Sequence, residues 1–450
     1  MADYIAAIDL GTSHLTGIVG EKNADGTFSI IACETVETDN CIQRGIIYNS
    51  DNTAKHVGDL IVKLESRLKG NYIDKIYVGV GGQSLRTVNH VEAMDIPEGA
   101  TVTEDDITYL KEKCIKYKPD LVDVLGMAPA VFYRDGQKET KPVGVWCKRF
   151  EARYKLVVGR VTIRNLIKNS IEAIEGKELA GIIVSPLALA DAVLSPNDRE
   201  LGCALVDFGA GVTSVSIYKD GDLLHLCVIP FGGKLITRDI TSLQLTEADA
   251  ERLKKEKGCA TVHKEDENEH IAMEGVDREV KLSDLNAVIE GRAKEIVDNV
   301  YARISDVLEL KQLGAGIVLA GCGSELNYLP ELLRVKCNVK IRSSVIQKGL
   351  VRDADELLGN PMFITAISLM LKGTKPCVSQ QAATTLDETV EPPSGKEEKK
   401  DSPKGFFEKK PPKVKPEKKP KEPGMGFKDR VRGIFTTNLF DDEEEELLKK

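Results

Sequence analysis

The sequence predicts an α/β protein built from two similar lobes with a cleft between them. A strand followed by a glycine turn occurs twice, at residues 5–13 and again at residues 204–211. In each copy an apolar strand ends in an aspartate, Asp9 or Asp207, followed by one apolar residue and a glycine. A hydroxyl residue and a second apolar run come next in both copies. An internal duplication of this kind predicts two lobes of the same construction.

Each copy also carries the signals of a β-hairpin and of a phosphate site. An Asp-Gly pair follows the second run, at 25–26 and at 220–221, as is typical of turns between antiparallel strands. Two facing turns hold a polyphosphate when their N–H groups and hydroxyls bind its oxygens while two carboxylates position a hydrated cation. Asp followed by Gly is also ordinary turn chemistry, so this prediction depends on there being two copies. The predicted contacts are Asp9, Gly11, Thr12, Ser13, Asp207, Gly209, Ala210, Gly211 and Thr213.

A third glycine turn follows an apolar strand over residues 316–320. A helix is predicted to begin near Leu326 and to run through Leu333. A glycine-rich turn between a strand and a helix lets the backbone pass close to a flat ligand such as adenosine. Taken alone, the pattern favours a plain tight connection, but it fits the same cleft as the two hairpins. The turn residues are Gly321, Cys322, Gly323 and Ser324.

Two phosphate hairpins and an adenosine turn, in this order, resemble the actin-like ATPase superfamily. Within it the chain resembles the FtsA family of bacterial cell-division proteins, over roughly residues 1–373 and the last helix. The resemblance implies duplicated ribonuclease-H-like lobes with an inserted subdomain, and ATP bound with Mg²⁺, which Asp9 and Asp207 would hold through water. The stretches that carry it are residues 9–12, 185–188, 199–202, 207–211 and 230–233.

Composition favours a cytosolic globular protein. The 450 residues are 42% hydrophobic and 30% charged, which allows a large buried core. A net charge of −9 argues against a general nucleic-acid binder. The ten cysteines form no C-x-x-C pair, so we expect reduced core residues. The first residues lack the features of a secretory signal, and no apolar run approaches the roughly 20 residues of a spanning helix.

Shifts in composition, together with the resemblance, divide the chain into segments. Within them, helices are predicted around 54–68, over 104–116 and over 363–371, and strands over 125–133 and 153–161. The predicted first lobe comprises residues 1–83 and 166–195 with a returning helix in 360–373, and it is interrupted by an inserted subdomain over 84–165. The predicted second lobe covers 196–360 and contains a smaller subdomain over 236–307. A disordered linker over 374–424, an amphipathic helix over 425–440 and an acidic tail over 441–450 are predicted to follow.

The end of the chain predicts a tethered membrane anchor. Residues 374–424 hold half of the 18 prolines and cannot bury enough apolar surface to fold. An apolar stripe beside basic residues then predicts a helix that lies in a membrane interface, although docking on a partner or on the protein's own core is the alternative. Anionic lipid repels the acidic run 441–446, so we expect it to project away. The predicted membrane contacts are Phe427, Lys428, Arg430, Val431, Arg432, Ile434, Phe435 and Leu439.

The resemblance also implies a function and an activity. ATP-hydrolysing relatives carry Glu or Gln where this chain has Ser185, so we expect tight ATP binding with at most weak hydrolysis and assign no catalytic residue. The family anchors the FtsZ ring to the cytoplasmic face of the inner membrane at the septum, binds the FtsZ C-terminal peptide and other division proteins, and self-associates into filaments. A chaperone-like ATPase, a pilus-assembly adaptor or a sugar kinase remains the alternative; a kinase needs a carboxylate over a substrate hydroxyl, and none can be assigned.

Overall fold

The computed structural model describes residues 3–272, 279–352 and 354–379. The predicted amphipathic helix, the acidic tail and the predicted linker from residue 380 onward lie outside the described residues. The prediction that the linker begins at 374 is wrong, because Cys377 is buried and residues 378–379 pair with residues 72–73. A single buried cysteine beside a proline and a lysine does not alter the composition of the segment, so composition did not indicate this boundary. None of the described helices is long and apolar enough to cross a membrane.

Groups of consecutive strands are separated by helices along the described chain. The strands are β1 Asp3–Leu10, β2 His14–Lys22, β3 Phe28–Glu37, β4 Ile42–Gln43, β5 Ile46–Ile47, β6 Tyr72–Ile73, β7 Lys75–Val80, β8 Arg86–Asp95, β9 Val122–Met127, β10 Val131–Arg134, β11 Gln137–Glu139, β12 Arg149–Arg160, β13 Glu178–Val184, β14 Cys203–Phe208, β15 Thr213–Lys219, β16 Asp222–Ile229, β17 His270–Ala272, β18 Glu279–Lys281, β19 Gly316–Ala320, β20 Ile341–Ser343, β21 Val351–Arg352 and β22 Val378–Ser379. The helices are α1 Ser50–Glu65, α2 Glu104–Lys116, α3 Thr162–Glu172, α4 Ser185–Val193, α5 Pro196–Leu201, α6 Gly233–Ile240, α7 Glu247–Glu256, α8 Leu282–Ser305, α9 Leu329–Cys337, α10 Asp355–Leu358 and α11 Ile364–Met370.

The first lobe is a six-stranded sheet with helices on both faces. Its strand order is β13-β7-β1-β2-β3-β21, with β1 antiparallel to β2 and parallel to β7. Gly17 lies against Leu60 and Leu64 of α1, whereas Gly20 lies against Met370 of α11. A Cβ at these positions would lie 2.8 Å from Leu64 Cδ1 and 2.2 Å from Met370 Sδ, so glycine lets both helices pack closely on the sheet. The sheet is therefore buried on both sides, which explains the continuous apolar runs of its central strands.

The second lobe repeats the same hairpin at the same register. β14 is antiparallel to β15 and parallel to β19, as β1 is to β2 and β7. Asp207 pairs with Ser214 seven residues on, just as Asp9 pairs with Thr16 seven residues on. The two aspartates thus occupy equivalent positions at the ends of equivalent strands. The predicted duplication is confirmed at the level of strand register.

The inserted subdomain extends the sheet of the second lobe. β8 to β12 form an antiparallel sheet, and β8 meets β16 at Arg86 and Cys227, so one ten-stranded sheet results. The Thr87 hydroxyl accepts a hydrogen bond from the backbone N–H of Leu226 at 3.1 Å. The insert therefore begins and ends within the first lobe's part of the chain. Its sheet, however, is hydrogen-bonded to the second lobe.

Several predicted boundaries needed correction. The predicted strand 125–133 is two strands, β9 and β10, because Pro129 has no N–H to continue the ladder. The helix predicted near Leu326 begins at Leu329, after a 3-10 turn over 322–325 and a left-handed residue, Tyr328. The chain also rejoins the first lobe before residue 360, since β21 pairs with β3. A two-residue strand carries no periodic signal, which is why the sequence did not predict it.

Helix α11 fixes the first lobe around its sheet, and this gives a stability prediction. Leu369 is fully buried against the sheet and α4, and truncation to Ala should lower the free energy of unfolding by about 2–5 kcal/mol because a cavity remains. Val62→Ala, at a position of α1 that is 65% exposed, is the control and should change it by less than about 0.5 kcal/mol. Equal effects of the two variants in chemical unfolding would contradict the assigned packing.

Candidate functional site

The two glycine turns of the lobes touch each other. The first turn, residues 11–13, joins β1 to β2, and the second, residues 209–212, joins β14 to β15. A Cβ on Gly211 would lie 2.3 Å from Thr12 Oγ1 and 2.8 Å from Thr12 Cγ2. Only glycine fits at 211, since real Cβ atoms do not approach so closely. The turns of the two lobes thus form one continuous surface at the base of the cleft.

The first turn is held by groups that lie behind it. Thr12 Oγ1 accepts a hydrogen bond from the N–H of Gly45 at 2.9 Å, and its carbonyl accepts one from the Thr38 hydroxyl at 2.7 Å. The carbonyl of Ser13 accepts from the N–H of Thr38 at 3.1 Å. A Cβ on Gly11 would lie 2.4 Å from the carbonyl oxygen of His14. The carbonyl groups of Thr12 and Ser13 are therefore already bonded to Thr38.

The second turn is held by the start of helix α6. Its N–H groups at Gly233 and Lys234 donate to the carbonyls of Gly209 and Ala210 at 3.0 Å and 2.8 Å. Thr213 is fully buried and its hydroxyl donates to the carbonyl of Phe231 at 2.8 Å. Thr213 thus fixes the approach to α6, and we do not propose that it contacts a ligand.

Both turns present unpaired N–H groups. Within residues 3–272, 279–352 and 354–379, no acceptor receives a hydrogen bond from the N–H of Thr12, Ser13, Ala210 or Gly211. Successive free N–H groups in a turn form a concave site for anions. Two such sites face each other here, so the geometry fits an anion with several oxygens, such as a polyphosphate.

Two carboxylates lie beside these N–H groups. Ser185, the first residue of α4, donates its hydroxyl to Asp9 Oδ1 at 3.3 Å. Burial raises the pKa of Asp9 to about 6 in spite of this hydrogen bond. Burial, together with the nearby charge of Asp9, raises the pKa of Asp207 to about 7. Two carboxylates that disfavour each other's charge are a donor set that a divalent cation would neutralise, so the residues present fit a hydrated Mg²⁺.

The third glycine turn lies directly against the second lobe's aspartate. Gly321 has a φ of +77°, and a Cβ there would lie 2.3 Å from Asp207 Oδ1 and 2.4 Å from the carbonyl oxygen of Phe208. Cys322 is exposed, whereas Ser324 is buried and donates its hydroxyl to the carbonyl of Gly321 at 2.7 Å. Backbone and Cys322, rather than the Ser324 hydroxyl, are thus available to a ligand.

Sequence reasoning missed a set of charged residues around the cleft. Lys234 reaches across it and donates to the carbonyl of Thr12 at 3.3 Å and to Asn40 Oδ1 at 2.8 Å. On α7, Lys254 Nζ lies 2.6 Å from Glu251 Oε2 and donates to the Thr237 hydroxyl at 2.8 Å. The available signal was the basic residue directly after Gly232-Gly233. That signal can be interpreted only once α6 is known to begin at the second turn.

The acidic pair gives a prediction for the protein without metal or nucleotide. Asp207 has a higher pKa in the folded protein than its ordinary value of 3.8, so the folded state loses stability as pH rises from about 4 to 7. Asp207→Asn should therefore raise the Tm by several degrees at about pH 8, at about 2–4 °C per kcal/mol, and have no effect near pH 4. Thermal unfolding with a chelator present measures this, and exposed Asp120→Asn is the control. A shift of the same size at both pH values would refute the explanation.

Comparisons with known proteins agree with this geometry. The family model described as "Cell division protein FtsA" matches residues 204–368. The cell division protein FtsA of Porphyromonas gingivalis is 35% identical over 412 residues, which cover 88% of this chain and 84% of that protein. The protein of the same name from Escherichia coli is 27% identical over 401 residues, covering 84% and 92% respectively.

A solved structure shares the fold. A chain of the PilM-PilN type IV pilus biogenesis complex aligns with a TM-score of 0.57 over 83% of this chain and 99% of its own length. At 16% identity this likeness concerns the fold alone. The predicted two-lobed actin-like architecture is confirmed.

Proposed function

The chain belongs to the FtsA family of cell-division proteins, and from this premise we propose that it is an ATP-binding adaptor that anchors the FtsZ ring to the inner membrane. A role in cell division follows from membership of the family. The observation that carries the proposal is the contact of two turns with free N–H groups beside paired carboxylates. That arrangement suits a nucleotide polyphosphate with its cation.

Each part of ATP has a matching part of the cleft. Phosphate oxygens would accept hydrogen bonds from the N–H groups of residues 12–13 and 210–211, and the ammonium of Lys234 adds positive charge beside them. Asp9 and Asp207 would hold Mg²⁺ through water, and Mg²⁺ supplies charge neutralisation for the phosphates. The backbone of residues 321–323 would face the adenosine. Gly321 keeps this backbone in contact with Asp207, so the base and the cation are held by adjoining elements.

Ser185 explains why hydrolysis should be weak. Its hydroxyl donates to Asp9, so its proton is directed at the carboxylate rather than at an attacking water. A serine hydroxyl is also a poor base at neutral pH, unlike the carboxylate of glutamate. We propose that bound ATP acts mainly as a structural ligand that holds the two lobes together.

The remaining parts of the proposal concern partners and location. The FtsZ C-terminal peptide would bind the smaller subdomain, residues 236–307, and copies of the chain would associate into filaments. The helix over 425–440 would lie in the cytoplasmic leaflet at the septum, with the acidic tail directed away from it. The pattern of Phe427, Val431 and Phe435 supports this anchor, although these residues lie outside the described part of the chain.

Gly211→Val tests the nucleotide site. The valine side chain would collide with Thr12 and force the turns apart, so we expect the affinity for Mg²⁺-ATP to fall at least about tenfold, or about 1.4 kcal/mol. Equilibrium binding of a fluorescent ATP analogue measures this. Gly58→Ala on α1 is the matched control, because no atom lies within 4 Å of the added Cβ. Parental affinity in a folded Gly211→Val protein would rule out ATP binding between the turns.

Phe435→Glu tests the anchor. It places a charge in the apolar stripe, and burial of aromatic and aliphatic side chains at about 25 cal/mol per Å² is the main source of interfacial binding. We expect the variant to stay in the supernatant when sedimented with anionic liposomes, while its ATP affinity is unchanged. Thr436→Glu, next in sequence and outside the stripe, is the control and should still sediment. Liposome binding by Phe435→Glu equal to that of the parent would instead favour a helix that docks on a protein.

A further inference from the structure

A cavity lies away from the three glycine turns. It has a volume of about 300 Å³ and is formed where the insert, the first lobe and the second lobe meet. Leu125 and Met127 of β9, Leu187 and Ala188 of α4, and Leu223 of β16 contribute its apolar walls. This volume is at the lower end of the range for small-molecule sites, which combine apolar walls with a few polar groups.

One polar group in the wall has no partner. The side chain of Tyr218 is only 3% exposed, yet among the described residues none forms a hydrogen bond with its hydroxyl. Burial raises the pKa of Tyr218, so the hydroxyl keeps its proton and can donate it. The fully buried side-chain atoms without a partner among the described residues belong to Asp74, Ser170 and Ser216, so the Tyr218 oxygen itself is open to the cavity and available to a ligand.

The charges at the cavity do not balance. Asp191 accepts a hydrogen bond from Arg199 Nη2 at 2.6 Å and also pairs with Lys372, so two cations share one carboxylate. The guanidinium of Arg199 also lies 4.9 Å from the ring centroid of Tyr218. On β16, next to the strand that carries Tyr218, Asp222 is neutralised by Lys138 at 2.5 Å. Glu200 Oε2 lies 3.6 Å from the Cβ position of Gly221, at the edge of the cavity. The end of the cavity formed by Arg199 and Lys372 thus carries two cations and one carboxylate beside the Tyr218 hydroxyl.

We propose that this cavity binds a small amphiphile made of an apolar body and one carboxylate. The body would occupy the space between Leu125, Leu187 and Leu223, and the carboxylate would face Lys372, Arg199 and the Tyr218 hydroxyl. The carboxylate of the acid supplies a hydrogen-bond acceptor for the Tyr218 hydroxyl. It also supplies a second negative charge for Arg199 and Lys372, which otherwise share Asp191. An amine or a neutral molecule of the same shape satisfies neither group as well.

Helix α4 connects this cavity to the nucleotide cleft. Its first residue, Ser185, donates to Asp9, and Leu187, Ala188 and Asp191 on the same helix line the cavity. Arg199 lies on α5, where the chain passes from the first lobe to the second. An occupant that moves α4 therefore moves a partner of Asp9, and the coupling between the two sites is reciprocal. This coupling, unlike the cavity itself, rests on the proposed function.

Binding is tested with 4-phenylbutyrate on the full chain without nucleotide, with 4-phenylbutan-1-ol as the uncharged comparison. By isothermal titration or ligand-observed NMR, we expect a Kd of about 1 mM for the acid and at least about fivefold weaker binding of the alcohol. Absence of saturable binding at about 10 mM acid, or equal affinities for acid and alcohol, overturns the proposal.

Two variants with matched controls locate the site. Lys372→Ala should weaken the acid about fivefold and leave the alcohol unchanged, whereas Lys311→Ala, which is exposed and paired with Glu309, should change neither. Tyr218→Phe keeps the ring and should weaken the acid about fivefold. Tyr301→Phe is its control, because Tyr301 also carries a cation over its ring, Lys336 at 5.0 Å. If both Lys372→Ala and Tyr218→Phe bind the acid with parental affinity, the acid binds elsewhere and the proposed site is wrong.

The coupling has a separate readout. Saturating 4-phenylbutyrate should change the Kd for Mg²⁺-ATP by about fivefold, and saturating ATP should change the Kd for the acid by the same factor. An unchanged Kd overturns the coupling through α4. Failure of ATP to bind at all would contradict the proposed function instead, and the titration of the acid without nucleotide distinguishes the two failures.

Discussion

The contact between Gly211 and Thr12 is the constraint around which the cleft is organised. Two backbone turns from different lobes can approach this closely only where one of them lacks a side chain. Their carbonyls are bonded to the elements behind them, to Thr38 on one side and to α6 on the other. The N–H groups of residues 12, 13, 210 and 211 are left without an acceptor among the described residues. The anion site is thus formed mainly by backbone groups, and the side chains hold those groups in position.

This packing places negative charge where the folded protein alone does not favour it. Asp9 and Asp207 end equivalent buried strands, so bringing the lobes together brings the carboxylates together as well. Burial raises the pKa of both groups, and the charge of Asp9 adds to the rise in the pKa of Asp207. A bound cation would neutralise these carboxylates and lower the cost of burying them. Ligand binding is therefore linked to the stability of the closed lobes.

The insert makes the two lobes less independent than a two-lobe description implies. It is covalently part of the first lobe, yet its β8 strand continues the sheet of the second. The same region borders the cavity lined by Leu125 and Tyr218. Helix α4 begins at Ser185, which donates to Asp9, and its Leu187 lies near Gly126 of the insert, so the cleft and the insert share this helix. Motion between the lobes must therefore involve the insert.

The sequence by itself determined the duplicated hairpins, the two aspartates and the helix over 104–116, where Thr103 and Asp106 form a capping box. These features depend on local chemistry, because strand periodicity, glycine turns and helix caps are determined by residues that are close in sequence. The tertiary structure alone decided that Gly211 touches Thr12, that Lys234 crosses the cleft and that Thr213 and Ser324 use their hydroxyls internally. It also decided the return of the chain at β21 and the burial of Cys377. Each of these depends on residues distant in sequence, whose approach is set by the packing of sheets and helices and leaves no local pattern.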